Sequence, residues 1–214
     1  LSAERLNKIS ESVVGTFREQ YYDIAVDGIY FQSFTELDKR DVGGKNIAST
    51  VVELVNMTAD ELLSEHPQLN IEFGLHATGV KSDLDAIART DGRVRIVWED
   101  LGAFPFSYSP LEVENFDETY ELTEKVLNLR GDGEKCGFIT KGMTTLDWGA
   151  FSHAAGPLVI GESSAEFIKS RQLQKNALWE ERTEGWHKNI VYAKKMFDLF
   201  KASDKAVSVQ ALIE

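Results

Sequence analysis

The sequence predicts an α/β fold in which parallel β-strands alternate with α-helices. Two observations support this class. Short apolar or alternating segments are separated by longer segments whose apolar residues recur every three or four positions. The order is one helix followed by four strand–helix units, and strands connected through helices pair in parallel with right-handed crossovers. We treat 1–214 as a single α/β domain, because the length suits one domain or one large piece of a larger one.

The first helix is predicted over 2–24. Val14, Phe17 and Tyr21 follow one another at spacings of three and four, which places them on one face of a helix. Gly28 interrupts this pattern and marks the start of the strand–helix units.

The first two units are predicted over about 28–65 and 70–89. The first opens with the apolar strand 29–34, and Pro67 follows the end of its helix. The second opens with a strand over 70–76, where apolar and polar residues alternate strictly.

The last two units are predicted over about 93–130 and 137–201. Gly131 follows the helix of the third unit, as glycine often does at a helix C-terminus. A terminal helix is predicted over 204–213, starting after Ser203.

The polarity of the strands favours half of a TIM-type (β/α)8 barrel over an open doubly wound sheet. In the second strand Ile71, Phe73 and Leu75 share one face, whereas Glu72 and His76 lie on the other. Helices cover both sides of a doubly wound sheet, so both faces should be apolar. A barrel strand instead turns one face to the lumen, where polar residues gather near the C-terminal mouth.

We therefore predict a (βα)4 half of a TIM-type barrel preceded by one helix, the C-terminal half of a larger barrel, which alone would expose its lumen face. We expect a missing N-terminal half, a second chain or another partner to complete it.

Composition excludes several classes of function. With 23 basic and 35 acidic residues the net charge is −12, so we expect no nucleic-acid partner. The sequence has no apolar run long enough to span a bilayer, and we expect no membrane association. Cys136 is the single cysteine, so an intramolecular disulfide and a cysteine-based zinc site are both excluded. We expect a cytoplasmic protein without a metal or other cofactor.

Acidic or imidazole side chains follow each predicted strand. The carboxyl ends of parallel strands meet at one rim, where active sites are built. Helix caps and loop charges are the alternative roles for these side chains. The residues concerned are Glu36, His76, Glu99, Asp100 and Asp147.

Glu99 is the strongest single candidate for a catalytic carboxylate. Glu99 lies two residues after Val97 and four after Arg95, so the three side chains point to the same face of the strand and Glu99 should point inward. A salt bridge to Arg95 or Lys141 is its alternative role. Glu72 is expected to pair with Arg95. His76, at the mouth, suits an acid, a base or a substrate donor.

Lys141 and a group of aromatic residues add to this rim. Lys141 on a luminal face has the chemistry for a Schiff base, although an ion pair with a carboxylate is the commoner arrangement. Aromatic rings beside carboxylates suit sugars, and loop packing is the alternative. The rings concerned are Trp98, Tyr108 and Trp148, with Phe104, Phe106 and Phe151 nearby in sequence.

Three segments resemble the strands and rim loops of carbohydrate-active (β/α)8 enzymes. They read VRIVWEDLGAFPF over 94–106, IEFGLH over 71–76 and TLDWG over 145–149. The resemblance covers about residues 28–201, matches no specific family, and implies the C-terminal half of a glycoside-hydrolase-like barrel. It implies a nucleophile or base at Glu99 on the seventh strand. The usual acid, on the fourth strand, would lie outside this chain, and Glu36 is a substitute.

The sequence thus leads us to expect a glycosidase, or a fragment of one, with a carbohydrate substrate. Glu99 is its main carboxylate, Glu36 or Asp147 is its partner, and His76 orients the substrate. Trp98 and Trp148 form the sugar platform, and Asp100, Tyr108, Glu72 and Lys141 complete substrate binding. Two alternatives remain open. One is another barrel enzyme, either a metal-dependent hydrolase or a Schiff-base aldolase using Lys141. The other is a non-catalytic sugar-binding or interaction module.

Overall fold

The computed structural model describes residues 2–24, 27–32, 41–42, 45–75, 81–99, 116–143 and 165–213. Helices and strands alternate through most of this length. The elements are α1 (Ala3–Ile24), β1 (Gly28–Gln32), β2 (Asp41–Val42), β3 (Lys45–Asn46), α2 (Ile47–Glu65), β4 (Asn70–Leu75), α3 (Leu84–Ile87), β5 (Arg95–Trp98), α4 (Phe116–Leu127), β6 (Lys135–Met143), α5 (Ala165–Ala202) and β7 (Ala206–Ile213).

Five of the strands form one parallel sheet in the order β1-β4-β5-β6-β7. The predicted α/β class, with parallel strands alternating with helices, is confirmed. Strands β2 and β3 form a separate antiparallel pair. The five strands lie in chain order, without the reversal that characterises the common doubly wound sheets. This order is the one that consecutive barrel strands have, and the half-barrel itself stays a prediction.

The register of the sheet gives it two different faces. Glu72 on β4 is paired with Tyr30 on β1 and with Arg95 on β5, so these three side chains share one face, as do Gly74 and Gln32. We call this the polar face. The opposite face holds the apolar side chains, and those of the three central strands are all buried: Ile71, Phe73, Leu75, Ile96, Trp98, Cys136 and Phe138.

Helices α1 and α2 pack together through both apolar and polar contacts. Ser10 and Thr58 are buried and share a hydrogen bond of 3.1 Å between their hydroxyl oxygens. The side chain of Asn46 caps α2, because its oxygen accepts hydrogen bonds from the backbone N–H groups of Ala48 and Ser49.

No helix among the described residues combines the length and the apolar character that crossing a bilayer requires.

The chain divides into two compact units. The first comprises Leu1–Asp100, Glu121–Phe138 and Ala202–Val209, and the second comprises the remaining residues. In the second unit the ring of Phe116 lies 4.6 Å from that of Tyr192, measured between centroids, and the Lys195 ammonium lies 5.6 Å from the Phe116 ring. The single domain predicted for 1–214 stays a prediction.

The terminal helix predicted over 204–213 is wrong, because this segment is strand β7. The hydroxyl of Ser203 accepts a hydrogen bond from the backbone N–H of Lys205, which closes a local turn instead of capping a helix. The backbone N–H of Ala206 then donates to the carbonyl of Glu134 at 2.9 Å, next to the start of β6. Val207 and Val209 alternate with Ser208 and Gln210, and pairing with the sheet on this pattern outweighs the helical tendency of the alanines in the segment.

Candidate functional site

Glu99 lies at the carboxyl-terminal edge of the sheet, one residue after β5. Its backbone N–H donates to the carbonyl of Leu75, the last residue of β4, at 3.1 Å. Its side chain has the parity of Arg95 and Val97, so it lies on the polar face, and the residue is only 5% exposed. The sequence-based prediction that Glu99 points inward agrees with this placement.

Two side chains of β1 hold the Glu99 carboxylate. The hydroxyl of Tyr30 donates to Oε1, and the side-chain amide of Gln32 donates to Oε2 at 2.8 Å. Tyr30 and Gln32 are two residues apart on the strand, so both project from the polar face toward the same group. With a donor on each oxygen, the rotation of the carboxylate is fixed.

Gly74 on β4 makes this arrangement possible. Strand β4 lies between β1 and β5, so the side chains of Tyr30 and Glu99 meet across it. A Cβ atom on Gly74 would overlap both the Tyr30 hydroxyl and Oε1 of Glu99. The absence of a side chain at Gly74 therefore creates the space in which the two groups meet.

A second charged pair lies on the same face, closer to the amino ends of the strands. Arg95 donates through a terminal guanidinium nitrogen to Oε1 of Glu72 at 2.6 Å. The expected pairing of Glu72 with Arg95 is confirmed. Two carboxylates, Glu72 and Glu99, and one guanidinium, Arg95, give these described side chains one net negative charge.

The surroundings of Tyr30 favour its neutral form. Burial, the hydrogen bond to Glu99 and the negative charges of Glu99 and Glu72 all raise the pKa of the Tyr30 hydroxyl well above its ordinary value of 10.0. Tyr30 therefore remains a hydrogen-bond donor to Glu99 at all physiological pH values.

No protein-family model, curated protein or solved structure matches this chain.

Trp98 lies away from Glu99, on the opposite face of the sheet. It is 4% exposed, and its ring packs edge-on against that of Phe138, with 6.5 Å between centroids. Adjacent residues of a strand point to opposite faces, so Trp98 and Glu99 are separated by the sheet itself. Its assignment to a sugar platform is corrected: Trp98 is a core residue.

Several of the predicted site residues lie outside the described part of the chain. They are Glu36, His76, Asp100, Tyr108, Asp147 and Trp148. Lys141 belongs to strand β6, but its side chain is not among those described. Their proposed roles stay predictions.

Tyr30, Gln32 and Gly74 are the site residues that the sequence analysis did not identify. Residues 29–34 are predicted as a short buried strand. That prediction does not distinguish its two faces, although Tyr30 and Gln32 are polar residues two positions apart. Parity along this strand is the signal that indicates them, because it places both on the side of the sheet that also carries Glu72.

The arrangement is suited to proton transfer or nucleophilic chemistry by a fixed carboxylate. Within the described residues, no group of three or more His, Cys, Asp or Glu side chains has the geometry to hold a metal ion. The functional groups on the described part of the polar face are carboxylate, phenol, amide and guanidinium groups on β1, β4 and β5, with the Lys135 ammonium and the Ser208 hydroxyl on β6 and β7.

Proposed function

We propose that the chain is a glycoside-hydrolase-like enzyme, or part of one, and that Glu99 is its main catalytic carboxylate. The observation that carries the proposal is the carboxylate of Glu99, nearly buried at the carboxyl edge of a parallel sheet and fixed by Tyr30 and Gln32. Active sites of parallel α/β folds are built at this edge. Catalysis requires groups that are held in position before the substrate arrives.

Both donors to Glu99 are neutral, which matters for its proposed role. A carboxylate held by Arg or Lys is compensated in charge, whereas hydrogen bonds from a phenol and an amide orient it and leave its negative charge in place. A negatively charged carboxylate stabilises the oxocarbenium-like transition state of glycoside hydrolysis. The carboxylate acts either as the nucleophile or as the base.

Glycoside hydrolysis uses a second carboxyl group, and the proposal assigns it to Glu36 or Asp147. In the sequence, Glu36 comes four residues after the end of β1 and Asp147 comes four residues after the end of β6, so the proposal assigns both to the edge that carries Glu99. His76, Asp100, Tyr108 and Trp148 are proposed to contact the sugar. The substrate is proposed to be a neutral carbohydrate. On the described polar face the carboxylates of Glu72 and Glu99 are matched in number by the cations Arg95 and Lys135, so the face has no net charge that would select a charged sugar.

The proposal retains two further expectations from the sequence. The polar face is proposed to be completed by a further chain segment or by a second chain, as half of a barrel requires. The proposed compartment is the cytoplasm, because its reducing conditions keep the thiol of the single cysteine, Cys136, reduced.

The test is the turnover of a panel of aryl glycosides by the wild type and by Glu99→Gln. Gln has the size of Glu but lacks its charge, so we expect a loss of about a thousandfold or more in kcat. Glu11→Gln, on the exposed side of α1, is the matched control and should retain wild-type activity. Equal turnover by wild type and Glu99→Gln would contradict the proposal. The assay is run on the longest available product of the gene.

A second candidate is a non-catalytic sugar-binding module. The observation that favours it is that each oxygen of Glu99 already accepts a hydrogen bond and that the residue is only 5% exposed. A purely structural carboxylate has these same properties. This candidate predicts saccharide binding that survives Glu99→Gln, measured by titration calorimetry, with no turnover by the wild type.

A further inference from the structure

We propose that Tyr30 has two roles toward the substrate: its ring is the aromatic surface on which the sugar lies, and its hydroxyl positions Glu99. This inference rests on the proposed function of Glu99. It adds that Tyr30 holds the Glu99 carboxylate in position for the substrate. Tyr30 is assigned here from its place on the polar face and its contact with Glu99.

The exposure of the two residues supports the first role. Tyr30 is 43% exposed, whereas Glu99 is 5% exposed. The two side chains touch, so a ligand that approaches Glu99 from solvent meets the Tyr30 ring beside it. Among the residues described on the polar face of β1, β4 and β5, Tyr30 is the one aromatic side chain. An aromatic ring offers a flat apolar surface that complements the C–H face of a sugar, next to a polar group.

The hydrogen bonds of Glu99 support the second role. Each carboxylate oxygen has two acceptor sites, and Tyr30 and Gln32 occupy one on each oxygen. One acceptor site on each oxygen is left for other donors, and the two hydrogen bonds fix the direction in which that site points. Removal of the Tyr30 hydroxyl leaves Gln32 as the described donor, so the carboxylate gains rotational freedom and loses its fixed orientation. Tyr30 acts in this role as a positioning residue.

Two substitutions separate the roles. Tyr30→Phe retains the ring and removes the hydroxyl, so we expect kcat to fall by about 10- to 100-fold, the range for a lost hydrogen bond to a charged group, with KM nearly unchanged. Tyr30→Leu removes the ring as well, so in this variant we also expect KM to rise, by about tenfold.

Tyr21→Phe is the matched control. It removes a tyrosine hydroxyl that accepts a hydrogen bond from the Gln68 side chain, in the segment before the amino end of β4 and away from Glu99. We expect its kcat and KM to equal those of the wild type. If Tyr30→Phe has wild-type kcat in an active enzyme, the positioning role is overturned and the proposed function survives. If Tyr30→Leu and Tyr30→Phe have equal KM values, the role of the ring is overturned.

A stability measurement tests the Tyr30–Glu99 contact without any turnover. The urea midpoints of the wild type, Tyr30→Phe, Glu99→Gln and the double variant are compared in a double-mutant cycle, with circular dichroism to verify folding. We expect the shift of the double variant to differ from the sum of the two single shifts, because each single substitution removes the same hydrogen bond between Tyr30 and Glu99.

This double-mutant cycle keeps the two proposals distinguishable. A wild type without turnover on any sugar overturns the proposed function, and the cycle then decides independently whether Tyr30 and Glu99 interact. Strictly additive shifts overturn the positioning role, whatever the activity of the enzyme.

Discussion

Gly74 lies directly against the carboxylate of Glu99, at the point where the Tyr30 hydroxyl reaches it. A Cβ atom added to Gly74 would overlap Oε1 of Glu99 and the Tyr30 hydroxyl. The strand that separates Tyr30 from Glu99 thus provides a gap for their contact. The site depends on this missing side chain as much as on the polar groups themselves.

We expect Gly74→Ala to lower the free energy of unfolding by about 1–3 kcal/mol, the usual effect of adding a methyl group to a filled site. It should also lower the activity, because Glu99 and Tyr30 must move apart. Gly15→Ala is the matched control. Its added methyl group meets nothing within 4 Å and it lies within α1, so this variant should be more stable by about 0.5–1 kcal/mol. Urea unfolding of both variants checks the opposite signs.

Most of the fold was predictable from local patterns. The 3.6-residue period of α1 and the alternation in β4 are visible within one element, and they gave both elements to within one or two residues. For β7 the local signals conflict. Its segment contains residues that suit a helix, such as Ala206, beside the alternating Val207-Ser208-Val209-Gln210, and pairing beside Glu134, far away in the sequence, decides for the strand.

The site was predictable only in part, for a similar reason. Parity along β5 indicated that Glu99 and Arg95 share a face, and it suggested the pairing of Arg95 with Glu72. The contact of Tyr30 with Glu99 joins residues 69 positions apart and depends on the register of three strands. No local pattern contains that register, so the hydrogen-bond partners of Glu99 required the structure.

Arg130 holds together the turn that leads into β5. Its guanidinium donates to the carbonyls of Thr90, Asp91 and Val94 at 3.2, 3.0 and 2.9 Å, and the residue is only 4% exposed. We expect Arg130→Lys to lower the free energy of unfolding by about 3 kcal/mol, since one ammonium group leaves buried carbonyls without donors.

The control for Arg130 is Arg5→Lys, a substitution on the exposed side of α1. It should change the stability by less than about 0.5 kcal/mol. Equal stability of the two variants in chemical denaturation would show that the three carbonyl contacts of Arg130 contribute little.

Cys136 is expected to be chemically inert in the folded protein. It is fully buried on the apolar face, and burial raises the pKa of its thiol to about 12. Since the thiolate is the reactive form, an aromatic disulfide reagent at about pH 8 should label the native chain very slowly. One thiol per chain should react at once in guanidinium chloride. Rapid labelling of the native protein would contradict the burial of this strand.

The turn before β5 also contains a carboxylate whose charge should affect the stability in acid. Asp91 accepts hydrogen bonds from the Arg93 guanidinium, the shortest at 2.6 Å, and from the Arg93 backbone N–H at 2.8 Å. These hydrogen bonds, foremost those of the Arg93 side chain, and the nearby positive charges lower the pKa of Asp91 below 3.8. The folded state therefore binds a proton at Asp91 less readily than the unfolded state does.

The sign of the pH dependence follows from this lowered pKa. Asp91 contributes its stabilisation above about pH 4, and the contribution is lost as the pH falls through the folded-state pKa. We expect Asp91→Asn to be less stable than the wild type by about 0.5–1 kcal/mol at pH 6, because the pair with Arg93 is partly exposed. This difference should shrink as the pH falls toward about 2, which urea unfolding at the two pH values measures.

The control is Asp60→Asn, which removes a second carboxylate from Arg93. Asp60 is 78% exposed, so the effect of this variant at pH 6 should be smaller. A difference between Asp91→Asn and the wild type that is the same at both pH values would show that shape and hydrogen bonding, rather than charge, are what Asp91 contributes to this turn.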